Sequence, residues 1–183
     1  MKEIVLVTGG CRSGKSSYAL EYAQRLSDQG RYFLATCQPS DEEMVERVAR
    51  HQQERHESWQ TKDCPVDLSD AIKGLEGTAQ VILIDCLTLW VTNLLGVTDR
   101  QDVVESYVEA LQKAVTEASC SVVLVTNEVG CGIVPENRLA RLFRDFVGIA
   151  NQQMAAVATK VVWMVSGCPV VVKDPLSGGQ IAE

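Results

Sequence analysis

Ile4-Val5-Leu6-Val7-Thr8-Gly9-Gly10-Cys11-Arg12-Ser13-Gly14-Lys15-Ser16 is an apolar run followed by a match to G-x-x-x-x-G-K-[ST] over residues 9–16. Helix-like Ser17-Tyr18-Ala19-Leu20-Glu21-Tyr22-Ala23 comes next. A buried strand, a glycine-rich turn and a helix are the context in which this motif cradles phosphate. Glycines let consecutive backbone N–H groups curl around phosphate oxygens, and the helix N-terminus adds partial positive charge. Lys15 is expected to reach the β- and γ-phosphates, and the Ser16 hydroxyl to take a position on Mg²⁺. An ordinary glycine turn is the competing reading, and the flanking strand and helix argue against it. The loop predicts binding of a nucleoside triphosphate, ATP or GTP, with Mg²⁺.

The 183 residues suit one domain, expected over 1–174, with a flexible tail at 175–183 where Ser177, Gly178 and Gly179 cluster. Apolar residues at 46% and charged ones at 22% fit a globular protein. A net charge of -7 argues against a nucleic-acid partner, which needs clustered Lys and Arg. Any polyanion bound is therefore expected to be small and enclosed. The apolar run after Glu3 is too short for a signal peptide, and no stretch approaches the ~20 residues of a membrane span. A cytoplasmic location is the expectation. Seven cysteines without a C-x-x-C pair read as reduced thiols rather than as zinc ligands or disulfides. Cys11 stands apart, since it lies in the phosphate loop close to a helix N-terminus.

Near-continuous apolar runs predict strands at 4–8, 32–36, 81–85, 121–126 and 161–165, with a shorter one at 170–173. Helical patterns at 15–29, 41–57, 99–119 and 136–156 separate them. Such alternation implies βαβ units and a largely parallel sheet with helices on both faces. Gly167-Cys168-Pro169 reads as a hairpin turn that adds an antiparallel C-terminal edge. The fold class expected is α/β, a RecA-like P-loop NTPase sheet flanked by helices.

Val81-Ile82-Leu83-Ile84-Asp85 is a strand ending in a carboxylate. Ligands gather at the carboxyl ends of parallel strands, so Asp85 is a candidate for Mg²⁺ or its bound water. After it, Thr88 and Thr92 stand one helical turn apart, among Leu and Trp residues that read as core.

Ser40-Asp41-Glu42-Glu43 has the form of a capping box. From there Arg47, His51 and Arg55 recur every fourth residue, drifting only ~40° per step, and share one helix face. Two cations beside an imidazole disfavour its protonation, which leaves His51 nucleophilic near neutral pH. The guanidiniums suit phosphate oxygens. Together they fit attack on a nucleotide α-phosphorus. A solvated basic face balanced by Glu46 and Glu54 is the alternative on the residues alone. His56, roughly 140° around the helix, is the weaker candidate.

These segments resemble one family closely, the bifunctional adenosylcobinamide kinase/adenosylcobinamide-phosphate guanylyltransferases of cobalamin biosynthesis. The resemblance rests on Val7–Ser16, Ala35-Thr36, the Arg47, His51, Arg55, Trp59, Thr61 pattern and Asp85-Cys86-Leu87-Thr88. Its longest stretch is Val125-Thr126-Asn127-Glu128-Val129-Gly130-Cys131-Gly132-Ile133-Val134-Pro135-Glu136-Asn137-Arg138-Leu139-Ala140-Arg141. The resemblance implies two reactions. The γ-phosphate of ATP or GTP passes to the aminopropanol hydroxyl of adenosylcobinamide. Then a histidine, here His51, attacks GTP, and the GMP-histidine is transferred to adenosylcobinamide phosphate. It further implies nucleotide contacts from Gly9, Gly10, Cys11, Arg12, Ser13, Gly14, Lys15 and Ser16. Ala35, Thr36, Cys37, Gln52, Gln53, Glu54, Arg55, Asp63 and Asp85 complete that set, and a homotrimer is implied too. Cys11 and Cys37 depart from the small residues expected there, so a contact from Cys37 is expected through its backbone. Arg50 adds a charge beside His51.

The Asn127–Arg138 block, with Gly130, Gly132 and Pro135, predicts a shaped loop at the same sheet edge as residues 9–16. Pro135 suits a helix start. Asn127 and Glu128 are expected to meet substrate or the metal shell, with a packed turn against a neighbouring subunit as the alternative. Two further readings of the whole chain stay open on the phosphate loop alone. One is another small-molecule kinase and the other a GTP-dependent switch; neither uses the His51 stripe.

Overall fold

The computed structural model describes residues 2–39 and 58–174, together with 42, 45, 46 and 49. These residues form a seven-stranded sheet in the order β3-β2-β4-β5-β1-β6-β7. The strands are β1 (Ile4–Gly9), β2 (Arg31–Ala35), β3 (Trp59–Asp63), β4 (Val81–Asp85), β5 (Ser121–Val125), β6 (Lys160–Val165) and β7 (Cys168–Lys173). The helices described in full are α1 (Lys15–Leu26), α2 (Leu68–Lys73), α3 (Leu87–Val97), α4 (Gln101–Glu117) and α5 (Arg138–Val157). All neighbouring strands pair in parallel except β6 and β7, which are antiparallel.

The apolar runs are buried because helices cover both faces of the sheet. Val5, Val7, Leu83, Val123 and Val125 point to one side and pack with Ala19 and Ala23 of α1. The two alanines let that helix lie close to the strands, and the short link from Gly9 to Lys15 starts it at the carboxyl edge. Ile4, Leu6, Ile82, Ile84, Val122 and Leu124 alternate to the other side. There they meet Leu68 and Ile72 of α2, Trp90 and Leu94 of α3, Val108 and Leu111 of α4, and Phe146 and Met154 of α5. Leu87, Trp90, Val91 and Leu94 are core, as their pattern predicts.

Several expected boundaries move. The first helix ends at Leu26 rather than 29, because Ser27 is already extended. The C-terminal hairpin turns on Ser166-Gly167, at φ of 51° and 85°, and Val165 pairs directly with Cys168. That two-residue turn needs two positive φ angles, which places Cys168 and Pro169 in the strand instead of the turn. The helix expected from 136 begins at Arg138, capped by Asn137, whose Oδ1 accepts from the Ala140 N–H at 3.1 Å. Pro135 thus precedes the cap and is not a first-turn residue. β3 and α2 were not foreseen. Most of the helix expected at 41–57, with its capping box at 40–43, lies outside the described residues. Glu42, Val45, Glu46 and Ala49 are helical.

Candidate functional site

The strand register fixes where the site residues stand. Asp63 pairs with Ala35, Ala35 with Asp85, Asp85 with Val125, and Val125 with Val7. Three residues expected at the site, Asp63, Ala35 and Asp85, therefore form one row across the carboxyl edge. The phosphate loop rises two residues beyond that row, from Gly9.

The loop is wedged between two neighbours. On one side the Glu128 N–H donates to Gly9 O at 3.1 Å, continuing the β1–β5 ladder. On the other the Gly167 N–H, at the hairpin tip, donates to Ser13 O at 3.1 Å. Within the loop the Ser13 N–H reaches Gly10 O at 3.3 Å, and the Tyr18 N–H reaches Gly14 O at 3.0 Å. Gly14 caps α1 with φ of 87°, a left-handed conformation that disfavours a side chain. Arg12 also has positive φ, 53°. Cys11, Arg12 and Gly14 are exposed, and Lys15 and Ser16 half-buried. Lys15 Nζ donates to Gly10 O at 3.1 Å, so its ammonium already lies over the loop.

Of five buried side-chain polar atoms without a partner among the described residues, three stand here, while Trp59 Nε1 and Gln153 Oε1 lie elsewhere. Thr8 Oγ1, Ser13 Oγ and Asn127 Oδ1 are buried with no hydrogen-bond partner among the described residues. Such atoms cost free energy unless a ligand supplies the missing bond. All three lie on or beside the loop, where phosphate oxygens and metal-bound water can supply it. Ser16 and Asp85 offer hard oxygen donors, which suit Mg²⁺. Among the described residues no cluster of three His, Cys, Asp or Glu could hold a metal alone. A Mg²⁺ carried in on nucleotide phosphates, with few protein ligands, fits that donor set.

The β2–β4 rim is braced from inside. Thr36 is fully buried, and its hydroxyl donates to Cys86 O and accepts from the Cys86 N–H, both at 2.8 Å. Asn93 Nδ2 donates to Thr36 O at 2.8 Å and to Pro65 O at 2.9 Å. The Thr36 hydroxyl is thus committed to the fold, holding the ends of the two strands together. Cys37 is half-buried, and Ala35 and Asp85 are partly accessible. Burial, reinforced by Asp85, pushes the Cys86 thiol up to about 11, so it stays neutral at physiological pH.

A second brace was not legible in the sequence. Thr88 Oγ1 accepts from the Asn127 N–H at 2.9 Å, and Thr126 Oγ1 donates to Asn151 Oδ1 at 2.6 Å. Asn151 Nδ2 returns to Asn127 O at 3.2 Å. Asn151 lies on α5, and nothing in its local pattern announces the contact. Arg144, on the same helix, donates to Gly130 O at 2.7 Å and Ile133 O at 2.8 Å. His51, Gln52, Gln53, Glu54 and Arg55 lie outside the described residues.

The comparisons agree with this geometry. The family model described as cobinamide kinase / cobinamide phosphate guanyltransferase matches residues 5–172. The chain belongs to this family. It is accordingly an enzyme of that bifunctional kinase and guanyltransferase type. A similar protein is the bifunctional adenosylcobalamin biosynthesis protein CobU of Escherichia coli strain K12, 40% identical, with 93% of this chain and 99% of the relative covered. The bifunctional adenosylcobalamin biosynthesis protein CobP of Pseudomonas aeruginosa is 37% identical, with 93% and 98% covered.

Among solved structures, an ATPase domain superposes with a TM-score of 0.54 at 13% identity, covering 94% of this chain and 77% of that one. The flagellar accessory protein FlaH from Methanocaldococcus jannaschii gives 0.52 at 12% identity, covering 97% and 81%. These two speak for the fold alone, and it is the P-loop NTPase fold that the sequence led us to expect. No helix among the described residues is long and apolar enough to cross a membrane.

Proposed function

We propose that this chain phosphorylates the aminopropanol hydroxyl of adenosylcobinamide with ATP or GTP and then guanylylates the product. The second reaction consumes GTP, releases pyrophosphate and yields adenosylcobinamide-GDP, a step of cobalamin biosynthesis. The observation that carries this reading is the family match over residues 5–172, laid over a phosphate loop that holds or adjoins three buried polar atoms without partners among the described residues.

In this reading residues 9–16 hold the triphosphate, Lys15 offsets charge on the phosphates, and Ser16 and Asp85 hold Mg²⁺. The metal, when bound, neutralises charge developing on the leaving phosphates. His51 attacks the α-phosphorus: a P–N bond forms, the α–β bridging bond breaks, and pyrophosphate leaves with the electron pair. A phosphoramidate keeps enough transfer potential for the phosphate of adenosylcobinamide phosphate to displace the histidine. His51 lies inside the matched span, and Arg47 and Arg55 recur at helical spacing around it. Gln52, Gln53, Glu54 and Arg55, with Ala35, Cys37 and Asp63, are proposed as further nucleotide contacts. A homotrimer is proposed as the working assembly.

The test is covalent labelling. Purified protein is incubated with Mg²⁺ and GTP labelled at the α-phosphate, without corrinoid, and then denatured. Label stable to alkali, lost in acid and missing from His51→Ala is expected. A folded, GTP-binding wild type that takes no label would overturn the histidine assignment.

A further inference from the structure

Three carboxylates stand at the carboxyl ends of the described parallel strands, and strand order separates them by distance from the phosphate loop. Asp63 ends β3, four strand steps from β1, which is roughly 19 Å at the usual spacing. Asp85 ends β4, two steps or about 10 Å away, within reach of a metal ion on the phosphates. Glu128 follows β5, the strand next to β1, and its own N–H is bonded to Gly9 O at 3.1 Å. Of the three it is the residue whose own backbone is bonded to the loop.

The side chain is exposed yet held. Glu128 Oε1 accepts from the Gly130 N–H at 2.6 Å, the only hydrogen bond to this carboxylate among the described residues. A Cβ on Gly130 would come within 3.0 Å of that same oxygen, so a larger residue there would crowd it. Gly130 O is fixed in turn by Arg144 at 2.7 Å. The backbone just before Glu128 is tied to Thr88 and Asn151 through Asn127. With its backbone held at Gly9 and beside Asn127 and its carboxylate held by the Gly130 N–H, Glu128 is placed for more than solubility.

We propose that Glu128 is the general base of the phosphoryl-transfer half of the reaction, an inference that rests on the function proposed above. As the hydroxyl oxygen of the aminopropanol arm bonds to the γ-phosphorus, the bond to the β–γ bridging oxygen breaks. The electron pair leaves with the nucleoside diphosphate, and the hydroxyl proton passes to the Glu128 carboxylate. The two halves of the cycle differ in their need for such a base. An alkyl hydroxyl, like water, is a very weak acid and holds its proton tightly at neutral pH. A phosphate monoester, whose second pKa is about 6, is already an anion when it meets the guanylylated enzyme. Glu128 is therefore required for the first transfer and dispensable for the second.

Glu128→Gln tests this, since the amide keeps an oxygen for the Gly130 N–H but cannot take a proton. Kinase kcat is expected to fall roughly 10²–10⁴-fold with little change in KM for the nucleotide. Glu128→Asp, which keeps a carboxylate, should recover part of the rate. Labelling by GTP, and transfer to chemically supplied adenosylcobinamide phosphate, should stay within about twofold of wild type. A variant with wild-type kinase rate, or one losing both half-reactions together, would overturn the assignment. A wild-type protein without kinase activity would instead overturn the reading on which it rests.

Discussion

A methyl group placed on Gly9 would stand 2.6 Å from Met164 O, backbone that cannot move aside, and 2.7 Å from the Ser13 side-chain Oγ, both inside hard-sphere contact. Gly14 differs: nothing lies closer than 3.7 Å, but its φ of 87° penalises any side chain. Gly10 has neither constraint, with open space around the position of a Cβ. The three alanine variants should therefore rank in stability. Gly9→Ala should lose the most, at about 2 kcal/mol or more by overpacking, and Gly14→Ala about 1 kcal/mol from its left-handed backbone. Gly10→Ala should unfold in urea like wild type. Equal midpoints for all three would show that the loop is softer than its contacts imply. Away from the site, Tyr22 Oη donates to Glu3 Oε2 at 2.7 Å, and burial, then Glu3, raises its pKa. Its folded pKa exceeds the unfolded value of about 10, so the neutral phenol stabilises the fold fully below that pH. Stability should fall as pH rises above about 10, and Tyr22→Phe should flatten that decline in alkaline urea titrations.

The elements that the sequence revealed are those whose burial wrote a pattern. β1, β4 and β5 are covered on both faces and read as continuous apolar runs. β3 was invisible because it is an edge strand, with Trp59 buried and Gln60-Thr61-Lys62-Asp63 exposed. α2 spans only six residues between Asp67 and Gly74, too short for a helical period to show. The phosphate loop was legible because its requirements are local, a backbone path and a lysine. The Thr126–Asn151–Asn127 brace was not, because it joins a strand end to the middle of a distant helix. The 127–137 loop shows the same division: its glycines announced a shaped turn, but what shapes it is α5. Arg144 donates to Gly130 O, Ile133 O and, at 3.3 Å, Gly132 O, and Arg141 donates to Pro135 O at 3.0 Å. Ile133 is 96% exposed on top of this support, so its own side chain does not anchor the loop tip within the described chain. Arg144→Met should leave the unfolding midpoint nearly unchanged, since the freed carbonyls turn to water. Hydrogen exchange of residues 130–134 should accelerate at least tenfold. Unchanged exchange would mean the loop holds itself.

Across the whole molecule the parallel strands direct their carboxyl ends, and the loops that follow, to a single edge, and the cysteines report on it. Cys11, Cys131 and Cys168 are exposed, and all three sit on segments at that edge: the phosphate loop, the 127–137 loop and the hairpin. Cys64, Cys86 and Cys120 are buried, and burial raises the pKa of each, so they are both shielded and protonated. Thiolate is the reactive form, which makes the two groups separable by rate. A disulfide reagent at pH 8 should modify three thiols quickly, Cys37 more slowly, and the buried three only on unfolding. Nucleotide then divides the fast group. Phosphates seated in residues 9–16 would cover Cys11 directly, whereas Cys131 and Cys168 approach the loop only through neighbouring backbone. Mg²⁺ with GTP should slow Cys11 labelling by tenfold or more, read by peptide mass spectrometry, and change the other two by less than about threefold. Equal slowing of all three would mean that nucleotide closes the whole edge and that the 127–137 loop moves with it. Undiminished Cys11 labelling at saturating GTP would place the triphosphate elsewhere and remove the physical basis for Lys15, Ser16 and Glu128 acting on it.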